Sequence, residues 1–123
     1  MRTTIEKQPK QKQKLTEAFA LWRNKAQSGE YYLSGYANGN KEFKLLGYFN
    51  PNKNNPKEPD VRVYSLDSNG KRDKEVASLW ENLDRNEERY LTGTTDEKEK
   101  IVAWYGKENE EKRPYIRAYY KQD

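Results

Sequence analysis

The chain repeats itself. Residues 20 to 35 read ALWRNKAQSGEYYLSG, residues 78 to 93 read SLWENLDRNEERYLTG, and the two strings align without a gap. Leu21, Trp22, Asn24, Glu30, Tyr32, Leu33 and Gly35 recur as Leu79, Trp80, Asn82, Glu88, Tyr90, Leu91 and Gly93. Further on, Leu45 to Phe49 corresponds to Ile101 to Tyr105, and Pro59 to Tyr64 corresponds to Pro114 to Tyr119. A shared frame for two Trp and two Tyr, with the elements in one order, is the signature of a tandem duplication.

Each unit reads as strands. Tyr31 to Ser34, Phe43 to Phe49 and Val61 to Tyr64 are short runs of aromatic and branched residues. Turn chemistry bounds them at Gln27-Ser28-Gly29, Ala37-Asn38-Gly39-Asn40 and Asn50-Pro51-Asn52. The second unit repeats the series, and Asp67-Ser68-Asn69-Gly70-Lys71 makes the reversal between the two. The expected fold is mainly β: a roughly four-strand antiparallel meander, duplicated, closing as a barrel or as two packed sheets. One short helix is expected over Lys12 to Phe19, where Leu15 and Phe19 stand at helical spacing.

A unit of this size buries too little apolar surface to stand alone, so the copies should share one core. Its expected members are Leu21, Leu33, Leu45, Phe49, Val61 and Val63, with Leu79, Leu91, Ile101, Tyr105, Ile116 and Ala118 as counterparts. The organisation is then a basic arm over residues 1–14, a first repeat over 15–66 and a second over 67–123, with 15–123 forming one domain.

Composition narrows the chemistry. The 123 residues include neither Cys nor His, which removes disulfides, thiol nucleophiles, imidazole bases and the usual zinc sites. No glycine-rich phosphate loop or Gly-x-Ser-x-Gly elbow is present, so the expectation is a protein that is not an enzyme and carries no cofactor or metal. Charged residues make up 36% of the chain, yet 13% are aromatic, which favours folding over disorder.

The net charge of +4 is unevenly placed. Arg2, Lys7, Lys10, Lys12 and Lys14 face only Glu6 in the arm, whereas residues 67–123 carry twelve basic and fourteen acidic side chains. A basic arm tracks phosphates and gives salt-dependent affinity; the plainer account is a solubilising tail. The first 14 residues lack an apolar core and no segment has the ~20 apolar residues of a spanning helix, which leads to an expectation of a cytoplasmic protein that does not enter a membrane.

The strings ALWRNKAQSGEYYLSG and KEPDVRVY, over Ala20 to Gly35 and Lys57 to Tyr64, resemble the small bacterial proteins catalogued as domain of unknown function 736. Val61 stands where that family carries an aromatic. The resemblance implies a compact β protein of phage, plasmid or conjugative-element context, and no particular activity.

Strand period sends Arg62, Tyr64, Arg117 and Tyr119 to the face opposite Val61, Val63, Ile116 and Ala118, and Tyr48 and Trp104 join them. Such a face is a platform on which Tyr rings stack unpaired bases while Arg meets phosphate. It is also what cross-strand Tyr–Arg packing on an ordinary sheet looks like. The leading expectation is binding of single-stranded DNA or RNA through Tyr48, Arg62, Tyr64, Trp104, Arg117 and Tyr119, helped by Lys7, Lys10, Lys12 and Lys14. The alternative is a mobile-element module that binds and inhibits a host protein, suggested by the acidic second unit. Trp22 and Trp80 read as core packing anchors, and Asn24 and Asn82 as local backbone partners. The Asn- and Lys-rich loop from Pro51 to Lys57 and the acidic clusters at Glu87-Glu88, Asp96-Glu97 and Glu108 to Glu111 read as surface turns.

Overall fold

The structure, a computed structural model, describes residues 16–38, 40–107 and 112–121. Among these residues eight strands follow one another: β1 Glu17–Lys25, β2 Tyr31–Ala37, β3 Asn40–Phe49, β4 Val61–Leu66, β5 Arg72–Leu83, β6 Arg89–Thr95, β7 Lys100–Tyr105 and β8 Ile116–Tyr120. Each pairs antiparallel with its chain neighbours, and β8 returns to β1 to close a barrel. The duplicated meander is therefore a barrel and not two packed sheets. Closure leaves no sheet edge to manage, which suits strands this rich in aromatic residues.

Alternation explains the lumen. In β4, Val61, Val63 and Ser65 are buried while Arg62, Tyr64 and Leu66 are half-exposed. Leu21, Leu33, Val61, Val63, Leu79, Leu91, Ile116 and Ala118 are sealed from solvent, and Leu45 and Ile101 nearly so. Phe49 and Tyr105 are half-buried and pack against this cluster from one end. An eight-strand barrel has room inside for one layer of side chains per level, so Leu and Val at matched positions in both repeats fill it.

Two expectations are corrected. Glu17–Phe19 lie in β1, not in a helix, and residues 12–15 fall outside the described set. Pairing on both flanks, with β2 and β8, satisfies the backbone of this segment, and the continuous burial of Ala18 to Leu21 that comes with it outweighs one helical spacing. Trp22 and Trp80 are not in the core. They stand half-buried on the outer wall, one residue out of phase with Leu21 and Leu79.

Glycine sets the curvature. A Cβ on Gly35 would lie 1.9 Å from the Ala20 carbonyl oxygen, and one on Gly93 would lie 1.8 Å from that of Ser78. These counterparts let β1 press onto β2, and β5 onto β6, at the barrel corners. The hairpins at residues 26–30, 67–71, 84–88 and 95–99 share one geometry. In each, the fourth residue takes a positive φ: Gly29 94°, Gly70 78°, Glu87 63° and Lys98 66°.

The two ends of the barrel differ. Phe49, Tyr105 and Tyr115 close one, with ring centroids 6.4 Å apart for Phe49–Tyr115 and 5.4 Å for Tyr105–Tyr115. There the Tyr105 hydroxyl donates to Glu81 Oε2 at 2.9 Å. Burial, reinforced by that carboxylate, pushes the Tyr105 phenol well above its ordinary pKa. Among the described residues, no such ring cluster closes the other end. No helix among the described residues is long and apolar enough to cross a membrane.

Candidate nucleic-acid interface

Both repeats build the same constellation on the outer wall. In the first, Tyr48 pairs across β3 and β4 with Arg62, and Leu46 with Tyr64; in the second, Trp104 pairs across β7 and β8 with Arg117, and Val102 with Tyr119. Diagonal ring contacts result, 5.9 Å for Tyr48–Tyr64 and 5.8 Å for Trp104–Tyr119. Each arginine reaches an acidic residue of the following strand around the barrel. Arg62 Nη1 lies 3.3 Å from Glu75 Oε1, and Arg117 Nε lies 3.5 Å from Glu17 Oε2. Glu17 and Glu75 are themselves counterparts, so the match extends to the ion pairs.

The six outward residues expected to share a face thus form two triads. Strands β3–β4 and β7–β8 are four strands apart in a ring of eight, which puts the triads on opposite walls. Tyr48, Arg62 and Tyr64 come together, as do Trp104, Arg117 and Tyr119. Lys7, Lys10, Lys12 and Lys14 lie outside the described residues.

The triads differ in what surrounds them. Over the first, the Arg72 guanidinium sits 4.8 Å from the Tyr64 centroid and 5.5 Å from that of Tyr48. It covers ring faces that a base would need. Arg72 went unnoticed in the sequence because it lies in the charged run Lys71 to Glu75; its counterpart, Lys14, is among the undescribed residues. The second triad opens into a groove of about 430 Å³ lined by Trp104, Tyr105, Gly106, Lys107, Arg113, Pro114, Arg117 and Tyr119. Among the described residues that line it are three cations and three aromatic rings and no carboxylate; Glu108, Glu110 and Glu111 of the same connection lie outside the described residues. Trp104 keeps 44% of its surface exposed.

No family model, curated protein or solved structure matches the chain.

Lys107 and Arg113 are the residues of this groove that sequence reasoning missed. They belong to the connection between β7 and β8, which carries no repeat signal, so only the fold brings them beside Trp104. The loop is held in part by Trp22, whose indole donates to the Lys112 carbonyl at 3.3 Å. Trp80 donates to the Lys57 carbonyl in the matching loop at 2.9 Å. Asn24 Nδ2 donates to the Trp22 carbonyl and to Ser34 Oγ, and Asn82 Nδ2 to the Trp80 carbonyl and Thr92 Oγ1. The two asparagines therefore bond locally, as expected from their positions. Among the described residues, no group of three or more acidic side chains is arranged to hold a metal ion.

Proposed function

We propose that the chain binds single-stranded nucleic acid without catalysing a reaction, and that the groove beside Trp104 is its principal contact. The observation that supports this reading is the union in one groove of an exposed indole with Lys107, Arg113 and Arg117. Unpaired bases offer ring faces and phosphates; duplex DNA hides the former inside its stack. The Tyr48 triad is the weaker of the two contacts, because Arg72 already lies across its rings. The basic side chains Lys7, Lys10, Lys12 and Lys14 add further phosphate attraction to this scheme.

Magnitudes decide what such a site requires. Two stacked bases contribute about 2–6 kcal/mol, while micromolar affinity needs about 8 kcal/mol. The remainder falls to the cations, so binding depends steeply on salt. Three phosphate contacts on a single strand give a roughly 20-fold loss of affinity between 50 and 200 mM salt. Fluorescence anisotropy with labelled oligo-dT and oligo-U tests this. The expected result is salt-sensitive binding that Lys107→Gln and Arg113→Gln each weaken. Equal affinity at both salt concentrations, or equal affinity for duplex, would contradict it.

A further inference from the structure

The other end of the barrel, as the described residues form it, holds a second cavity, of about 310 Å³, remote from the Trp104 groove. Strands β1 to β6 and β8 all contribute to it, so it is the mouth of the lumen itself. The duplication explains why it exists. Phe19 in β1 has Ala77 as its counterpart in β5, and Tyr120 in β8 has Ser65 in β4. Large side chains therefore line the β8–β1 wall, and small ones the β4–β5 wall opposite. The void lies where the second members of these pairs are too small to fill it.

Ser65 gives the cavity a polar point. Its side chain faces the lumen, the residue is only 9% exposed, and no described residue bonds its hydroxyl. A buried hydroxyl without a partner costs free energy that a ligand can return. The floor around it is apolar, with Phe19, Leu45 and Ala77. At the rim the β6–β7 turn carries Asp96, Glu97 and Glu99, and among the described lining residues Lys74 is the one cation, 3.6 Å from Asp96. The described lining side chains thus carry three negative charges against one positive. Burial first, and then Glu99 and Glu97, raise the pKa of the Tyr120 phenol.

We propose that this mouth binds a small amphipathic organic cation, an ammonium group carried on an aromatic or branched apolar body. The body lies on Phe19, Leu45 and Ala77 with a polar atom near Ser65, and the ammonium faces Glu97 and Glu99. An eight-strand barrel has the size to hold one small ligand, and barrel mouths are recurrent ligand sites. Charge selects the sign and the apolar floor selects the body. Phe43, 52% exposed at the same rim, offers a ring face to the cation.

Nitrogen-15 NMR of the full chain with 2-phenylethylammonium, 2-phenylethanol and phenylacetate as probes tests the site. Shifts should cluster at Ser65, Ala77 and Thr95 and spare Trp104. The ammonium should bind at least tenfold more tightly than the alcohol, and the carboxylate least. Ser65→Leu, which fills the void, should weaken the ammonium at least tenfold. Glu97→Gln with Glu99→Gln, both at exposed positions that leave the core intact, should erase the preference for ammonium over alcohol. The proposal is overturned if the three probes bind alike, if shifts map to the Trp104 wall, or if the glutamine variant keeps the preference. It is equally overturned if the mouth resonances follow protein concentration, marking a second copy as occupant, or move when residues 1–15 are deleted and only then admit the probe.

Discussion

The Trp80 indole donates to the Lys57 carbonyl, tying the first strand of the second repeat to the long loop of the first. Trp22 makes the reciprocal bond to Lys112, so each repeat fastens its partner's loop. Replacing Trp80 with Phe keeps most of the ring contact and removes the donor, leaving the carbonyl to water. The expected loss is about 1 kcal/mol in urea denaturation. Trp22→Phe should cost no more, since its bond is longer. The strands lie on opposite sides of the barrel, so the two losses should add.

Gly35 and Gly93 permit the corners. An added methyl would overlap a backbone carbonyl carbon and oxygen that cannot move without parting paired strands. Gly35→Ala or Gly93→Ala is expected to destabilise the fold by more than about 3 kcal/mol. Gly29→Ala meets no neighbouring atom and pays only for its positive φ, about 1 kcal/mol. Comparable losses at all three positions, read from chemical melts, would remove the corner argument.

Glu87 occupies the left-handed position that Gly29 fills in the first repeat. Glu87→Gly should therefore stabilise the protein by about 0.5–1 kcal/mol, the relief of side-chain strain less the added freedom of the unfolded chain. Calorimetry would register this as a rise in Tm of a few degrees. Lys98→Gly should behave alike.

The Tyr105 phenol titrates higher folded than unfolded, because burial and the Glu81 carboxylate both oppose the phenolate. A raised pKa contributes stability that is complete below the unfolded value near 10 and is lost as pH climbs from there toward the folded one. Stability should thus fall above about pH 10, and Tyr105→Phe should flatten that fall. Spectrophotometric titration of the ten tyrosines should show Tyr105 ionising last, and only as the fold gives way. Simultaneous titration of all ten in the folded protein would contradict the assignment.

Much of the architecture can be read from the residues because the repeat supplies two independent views of each strand. Where both copies place a Leu, Val or Ile, as at Leu33 and Leu91 or Val61 and Ile116, the lumen follows from period two alone. Ring closure does not, since no local pattern says that β8 meets β1. The opposite placement of the two aromatic triads depends on that closure and is equally hidden. Trp22 and Trp80 deceive for a related reason: a bulky indole suggests a core, but its partner carbonyl lies across the chain in the other repeat. The mouth cavity follows from size differences between counterparts, Phe19 against Ala77 and Tyr120 against Ser65, which acquire meaning only once both pairs face one lumen.

Trp104 emission offers the most direct reading of the proposed interface, since a stacked base quenches an indole and a phosphate contact alone does not. Fluorescence should be recorded while a single-stranded dT oligomer is added to the protein and to Trp104→Phe. The account predicts saturable quenching at 50 mM salt in the parent, absent from the variant, with oligomer affinity reduced. Quenching of equal depth in Trp104→Phe, or none up to about 100 μM oligomer, would contradict it.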